Sequence, residues 1–218
     1  MDDNTLRIDI VSDVVCPWCY IGKRKLEAAL ASPEAADLPP VQIAWHPFQL
    51  NPDLPPEGIS RKDYLEEKFG GPERAAAIYE RVRAAGRTAG LELNIDGITL
   101  QPNTRAAHAL IAFAQQSGDD ASDVKERLLR AYFVENRFIG DLDVLVAIAA
   151  EAGLDATAAR AWLQDPEALA AVGQADQEAR QMGINGVPFF IFNRKVAVSG
   201  AQDPATLVQA MRQALAGA

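Results

Sequence analysis

Leu6-Arg7-Ile8-Asp9-Ile10-Val11-Ser12-Asp13-Val14-Val15-Cys16-Pro17-Trp18-Cys19-Tyr20-Ile21-Gly22-Lys23 is the stretch on which the reading of this chain turns. Its first six residues alternate apolar and polar and close on an apolar pair, the pattern of a half-buried β-strand. Pro17 then opens a run in which Tyr20, Ile21, Leu26, Ala29 and Leu30 recur near the 3.6-residue period, which predicts an amphipathic helix with proline at its first position. The two cysteines therefore stand where a strand hands over to a helix. At the helix start, Cys16 meets unsatisfied backbone N–H groups and the positive end of the helix dipole, so its thiolate is favoured and its pKa should fall below the free value of about 8.5. Cys19, one turn further in, is expected to be more buried and to stay protonated until it resolves a mixed disulfide. Position makes Cys16 the nucleophile and Cys19 the resolving thiol.

Outward from this unit, Ser32-Pro33 and Pro39-Pro40 break the chain before a second alternating stretch, 41–45, and a Pro-rich loop, 46–56, that contains His46. Helical patterns follow at 61–69, 72–89, 104–116, 121–136 and 142–152, with Gly90, Gly118 and Gly153 as closing residues and Asn103 and Asp141 as N-caps. Asp165-Pro166 starts another helix, which runs to Met182. A β-prone run, 187–192, a tight turn at Asn193-Arg194 and a return strand, 195–198, make a hairpin, and Asp203-Pro204 caps a terminal helix. The order β-α-β, helical insert, α-β-β-α divides the chain into a discontinuous α/β domain, 1–59 with 165–218, and an inserted helical domain, 60–164.

Composition removes whole classes of function. The 218 residues carry 21 Lys+Arg against 30 Asp+Glu, a net charge of −9 without a basic block, which argues against nucleic acid or an anionic membrane surface as partner. The longest clear apolar run is the seven residues 144–150, far short of the roughly 18 that a spanning helix needs. Residues 1–10 hold three Asp and no apolar core of a secretion signal, so a cytoplasmic protein is expected. With only two cysteines in such a compartment, a catalytic or metal-binding pair is favoured over a structural disulfide. Zinc lacks ligands, because His46 and His108 are the only histidines and lie far apart, and c-type haem attachment fails because Tyr20 follows Cys19. Two buried thiols without a role would leave the proline between them unexplained.

Three motifs in order carry a family resemblance: the segment from Ser12 to Lys23, Gln101-Pro102-Asn103-Thr104 followed by Ala107-His108, and Gly186-Val187-Pro188-Phe189-Phe190 followed by Ser199-Gly200-Ala201-Gln202. Over nearly its whole length the chain resembles the DsbA-type thiol–disulfide oxidoreductases, in their cytoplasmic FrnE-like branch. The resemblance implies an α/β thioredoxin-like fold with an inserted all-helical domain, and a cis Val187-Pro188 bond facing the cysteines. It makes Pro17, Trp18, Val187 and Pro188 the candidate substrate-binding residues, with the Val187 backbone pairing an extended client as an added strand. Asp13, if buried, is a candidate proton shuttle for Cys19. Asn103, Thr104 and His108 are cleft candidates that compete with a plainer reading as helix cap and packed imidazole. His46, Lys23, Arg130 and Arg137 receive no role, the three cations being read as solvated.

The activity expected is disulfide exchange with proteins or small thiols, glutathione among them as reductant or substrate, with no metal and no cofactor beyond the cysteine pair. The direction of exchange and the oligomeric state stay open. A second class is a glutathione-dependent isomerase or transferase of small aromatic substrates, since the same inserted fold resembles 2-hydroxychromene-2-carboxylate isomerases and kappa-class glutathione transferases. A third is a non-catalytic peptide-binding module. Cys19 discriminates, because a glutathione isomerase has no use for a second thiol one turn from the first.

Overall fold

The first strand, β1 (Leu6–Ser12), is buried on both faces rather than one. A computed structural model describes residues 5–216; residues 1–4, part of the leader reading, and 217–218 lie outside them. Leu6, Ile8 and Ile10 belong to the main apolar core, whereas Val11 joins a second cluster with Phe48, Ala179 and Ile184. Two polar side chains of β1 pair with each other: Asp9 accepts from Arg7 Nε at 3.0 Å and lies 2.8 Å from His46 Nε2. Alternation alone reads such a strand as half solvated.

After β1 come α1 (Pro17–Leu30) and β2 (Val41–Pro47). Next in the chain are β3 (Ile59–Ser60), α2 (Arg61–Phe69), α3 (Pro72–Thr88), β4 (Leu100–Gln101), α4 (Arg105–Ser117), α5 (Ala121–Phe133), α6 (Leu142–Glu151) and α7 (Ala156–Leu163). The chain returns through α8 (Pro166–Gln181), β5 (Phe189–Phe192), β6 (Val196–Ser199) and α9 (Pro204–Ala216). The main sheet has the order β2-β1-β5-β6. β1 and β2 are parallel with Leu6 opposite Val41, and β5 is antiparallel to β1 with Ile10 opposite Phe190. Among the described residues no helix is long and apolar enough to cross a membrane.

Local chemistry explains most boundaries. Gly90, Gly118 and Gly153 take positive φ just after their helices, and the Asp141 side chain accepts from Val144 N at the start of α6. Asn193 and Arg194 both adopt φ near +50° in the three-residue connection, 193–195, that sets Phe192 opposite Val196, so the return strand starts at Val196 and not at Lys195. Three features depart from the sequence reading. α5 stops at Phe133 rather than 136, because Asn136 turns to φ 55° and its Nδ2 donates to Asn94 O at 2.8 Å. α7, unassigned from sequence, is capped by Asp155, which accepts from Thr157 N and Ala158 N. The β3–β4 ladder, Ile59 opposite Gln101 and Ser60 opposite Leu100, spans some forty residues of sequence, a pairing that two-residue strands do not announce.

His46 and Lys23 need correction. His46 lies within β2 rather than in a loop, opposite Val11. Lys23 is buried, not solvated, and is held by ion pairs to Glu27 and to Glu126 of α5, the latter at 2.8 Å. Tyr20 OH donates to the same Glu126 at 2.7 Å, and burial followed by that carboxylate pushes the Tyr20 pKa up. α1 is thereby tied to the helical insert by one carboxylate.

Candidate active site

Cys16 is the N-cap of α1, with extended backbone and Pro17 at the first helical position. A sulfur is a poor cap, and Cys16 makes no side-chain capping bond; its carbonyl instead accepts from Cys19 N at 3.0 Å and Tyr20 N at 3.3 Å. The Cys16 thiol donates to Val187 O at 3.6 Å, so the segment before β5 closes over the helix start. Val187-Pro188 is a cis peptide. Gly22, one turn beyond Cys19, makes room for it, since a Cβ there would stand 2.8 Å from Pro188 Cγ and 3.3 Å from Phe190 Cζ. Both cysteines are free thiols, Cys16 5% exposed and Cys19 2%.

The two thiols are driven apart. Cys16 falls below the ordinary thiol value chiefly because the Cys19 thiol donates to it; burial opposes this, and the N–H groups of Cys19 and Trp18 assist. Cys19 is raised well above that value, first by burial and then by its neighbour Cys16. One sulfur is an anion in waiting and the other keeps its proton; the direction is the one expected at a helix start, but the Cys19 thiol contributes more to it than the backbone N–H groups. Trp18 between them is 40% exposed.

Behind Cys19 the site is closed by charged groups. Asp13 is fully buried: Oδ1 accepts from Val14 N at 2.7 Å and meets His108 Nε2 at 3.1 Å, and Oδ2 accepts from Leu50 N at 2.8 Å. Burial pushes its pKa up, but His108 and Leu50 bring the net value below the usual carboxylate range. Burial lowers His108 despite Asp13. The third member, Lys125 of α5, was not picked out from sequence. It is 1% exposed, and burial brings its pKa down to about 8 against the pull of Cys19, Asp13 and Cys16. A signal was available: Leu128, Leu129 and Tyr132 lie three, four and seven residues after Lys125 and are all buried, so the lysine sits on the apolar stripe of its helix.

The remaining candidates sit beside this cluster. Asn103 links the Pro-rich loop to α4: Nδ2 donates to Leu54 O at 2.7 Å, and Oδ1 accepts from Arg105 N at 2.9 Å and Gln49 Nε2 at 3.2 Å. Thr104 is buried at the N-cap of α4 without a side-chain capping bond. Among the described residues no group of three His, Cys, Asp or Glu is placed to hold a metal ion.

Comparison with known proteins identifies the family and the fold. Residues 7–212 match the DSBA-like thioredoxin domain family. A crystal structure described as a probable DsbA oxidoreductase from Streptomyces coelicolor is 33% identical, covers 98% of this chain and 91% of its own, and superposes with a TM-score of 0.86. YwbO of Bacillus subtilis, itself uncharacterized, is 27% identical over 90% of this chain and 92% of its own length. The cytosolic disulfide reductase DsbM of Pseudomonas aeruginosa shares the fold at 18% identity, with a TM-score of 0.64 over 97% of this chain and 96% of its own.

Proposed function

The chain belongs to the DSBA-like thioredoxin domain family and is a disulfide oxidoreductase of DsbA type; from that premise we propose that Cys16 and Cys19 form its redox pair and exchange disulfides with proteins or small thiols. The opposite pKa directions of two thiols one helical turn apart carry this reading. The Cys16 thiolate attacks one sulfur of a substrate disulfide. A Cys16–substrate bond forms as the substrate's own S–S bond breaks, and the departing thiolate takes a proton from solvent. Cys19 then gives up its proton and attacks Cys16 Sγ, which closes the Cys16–Cys19 disulfide and releases the second substrate sulfur. Two electrons have passed from the pair to the substrate. Run backward, the same steps oxidise a dithiol.

The second step needs an acceptor for the Cys19 proton and a counter-charge for the thiolate. Asp13 accepts the proton in this reading, since Oδ2, which accepts from Leu50 N, retains lone-pair capacity, and Lys125 supplies the charge. Trp18, Pro17 and Pro188 border the client, and the Val187 backbone, outside β5, pairs with its extended segment. Glutathione is a small thiol of the right kind, and the DsbM structure has also been solved with GSH.

The test is a pair of variants with oxidised glutathione and insulin as substrates. Cys16→Ser should lose exchange with both, whereas Cys19→Ser should accumulate a Cys16–glutathione mixed disulfide visible by intact mass. Full glutathione-dependent turnover of an aromatic substrate by Cys19→Ser, with no trapped adduct, would replace this reading with the isomerase one.

A further inference from the structure

Between the end of β2 and helices α4, α5, α7 and α8 lies a cavity of about 240 Å3 that none of Cys16, Pro17, Trp18, Cys19 and Pro188 lines. Its walls are largely apolar, with Trp45, Ile111, Trp162 and Val172 among them, and exposed Gln116 and Ala171 mark its entrance. The polar groups facing it are mostly spent. Trp45 Nε1 donates to Ser122 Oγ at 3.0 Å, Trp162 Nε1 to Ala109 O at 2.9 Å, and His108 Nε2 is engaged with Asp13. Lys125 also lines the cavity and is the exception. Among the described residues it has no carboxylate in ion-pair contact; its ammonium sits 5.4 Å from the centre of the Trp45 ring. A buried ammonium with no anion in contact is costly and persists where something offsets it; the Asp13 carboxylate acts on Lys125 only at longer range, and burial outweighs it.

One cation in an apolar chamber with both indole donors occupied is complementary to one negative charge on a hydrocarbon body. We propose that this cavity binds a compact apolar monocarboxylate, its carboxylate on Lys125 and its body between Trp45 and Trp162. A phosphate dianion is the wrong partner, since a single cation cannot balance it and the walls offer it little to bond. The site stands apart from the exchange chemistry yet is wired to it, because Lys125 also faces Cys19 and Cys16 electrostatically. An anion on Lys125 withdraws that support from a thiolate, so the ligand favours the uncharged disulfide. By linkage, occupancy moves the redox equilibrium of the pair toward the disulfide.

Calorimetric titration of the full chain with benzoate, benzamide and inorganic phosphate, in the dithiol and disulfide states, tests this. Benzoate should bind while its neutral isostere and phosphate do not, and Lys125→Met should weaken benzoate by about 10-fold or more, the worth of a charge-assisted hydrogen bond. Ala175→Phe leaves the lysine in place and fills the cavity from α8, so it should abolish binding and decides the matter should Lys125→Met not fold. The disulfide state should bind about 5-fold more tightly than the dithiol. No benzoate binding, equal binding of benzamide or phosphate, or binding unchanged in a folded variant overturns the proposal; equal affinity in both redox states overturns its link to the thiols. Binding needs no disulfide exchange, so its failure is separate from failure of the proposed activity.

Discussion

Trp18 at the front of the site is 40% exposed, while Asp13, His108 and Lys125 behind Cys19 are almost wholly sealed. At the front, Cys16 draws first on the Cys19 thiol and then on the N–H groups of Cys19 and Trp18, and its own thiol faces the Val187 carbonyl. The floor is made of side-chain charge from the β1–α1 connection and α5, Asp13 and Lys125, with the buried His108 imidazole of α4 bonded to Asp13. The contrast teaches how one helix turn can hold two thiols in different states. The backbone part of that support survives most substitutions, and its largest part is lost only with Cys19 itself. Charge buried at low dielectric is strongly felt and easily disturbed, so the resolving step is fragile. Side-chain changes in the floor should slow resolution while leaving Cys16 reactive, and changes at the front should do the reverse.

The largest effect expected is at Asp13. Asp13→Asn removes the proposed proton acceptor, and resolution of a Cys16–glutathione mixed disulfide should slow by about 100-fold, the low end for lost general acid–base help. Alkylation of Cys16 should not slow, because the Asp13 charge opposes its thiolate, and the Cys16 pKa should fall in the variant. Stopped-flow resolution and a pH series of iodoacetamide rates separate the two; equal loss in both would dissolve the division between front and floor. Stability carries a second signature. A carboxylate lowered in the folded state contributes stability fully present above about pH 3.9 and lost as pH falls through its folded value. Asp13→Asn should flatten that acid limb, and it should cost about 1–3 kcal/mol at pH 7 if the new amide turns a donor toward Val14 or Leu50 N–H.

Next in size is Gly22. Its Cβ would meet the Pro188 ring, which has no flexible end to withdraw, so Gly22→Ala should cost about 1–3 kcal/mol and displace Pro188 from the helix. Here the reading predicts the opposite split: Cys16 alkylation and substrate attack change, because the Val187 carbonyl moves with the proline, while the Asp13–His108 pair is untouched. Chemical denaturation together with iodoacetamide kinetics measures both. A loss of resolution alone would contradict the assignment of Gly22 to the front.

How much of this the sequence disclosed follows from the range of the forces involved. The division between Cys16 and Cys19 was legible because a helix start is a local event, set by Pro17 and the period of Tyr20, Ile21 and Leu26. The floor was not, because Lys125 reaches the cysteines only when α5 docks on α1, an arrangement settled by more than a hundred intervening residues. Lys23 was misread for the same reason: its partner Glu126 is distant in sequence, and an isolated lysine in an amphipathic helix looks solvated. His46 looked like loop because Pro47 follows it, yet β2 ends at that proline, where its missing N–H does least harm. Asp13 was conditional on burial, and burial there is supplied by Leu50 and His108 from two other segments.

The smallest effect is also the cleanest probe of the front. Trp18→Ala removes a side chain that is already well exposed, so stability should move by no more than about 0.5 kcal/mol. The Cys16 thiolate draws on the Trp18 backbone N–H, not its ring, and alanine keeps that N–H, so the alkylation rate and the Cys16 pKa should stay where they are. What should change is client affinity. Covering part of an exposed indole on binding contributes about 1 kcal/mol, so KM for a peptide disulfide should rise about 5-fold with kcat unchanged. Oxidised glutathione, too small to span from Cys16 across the indole, should show a smaller rise. A fall in kcat with an unshifted KM would mean that the ring tunes the sulfur itself, and the front would then depend on side chains as much as the floor does.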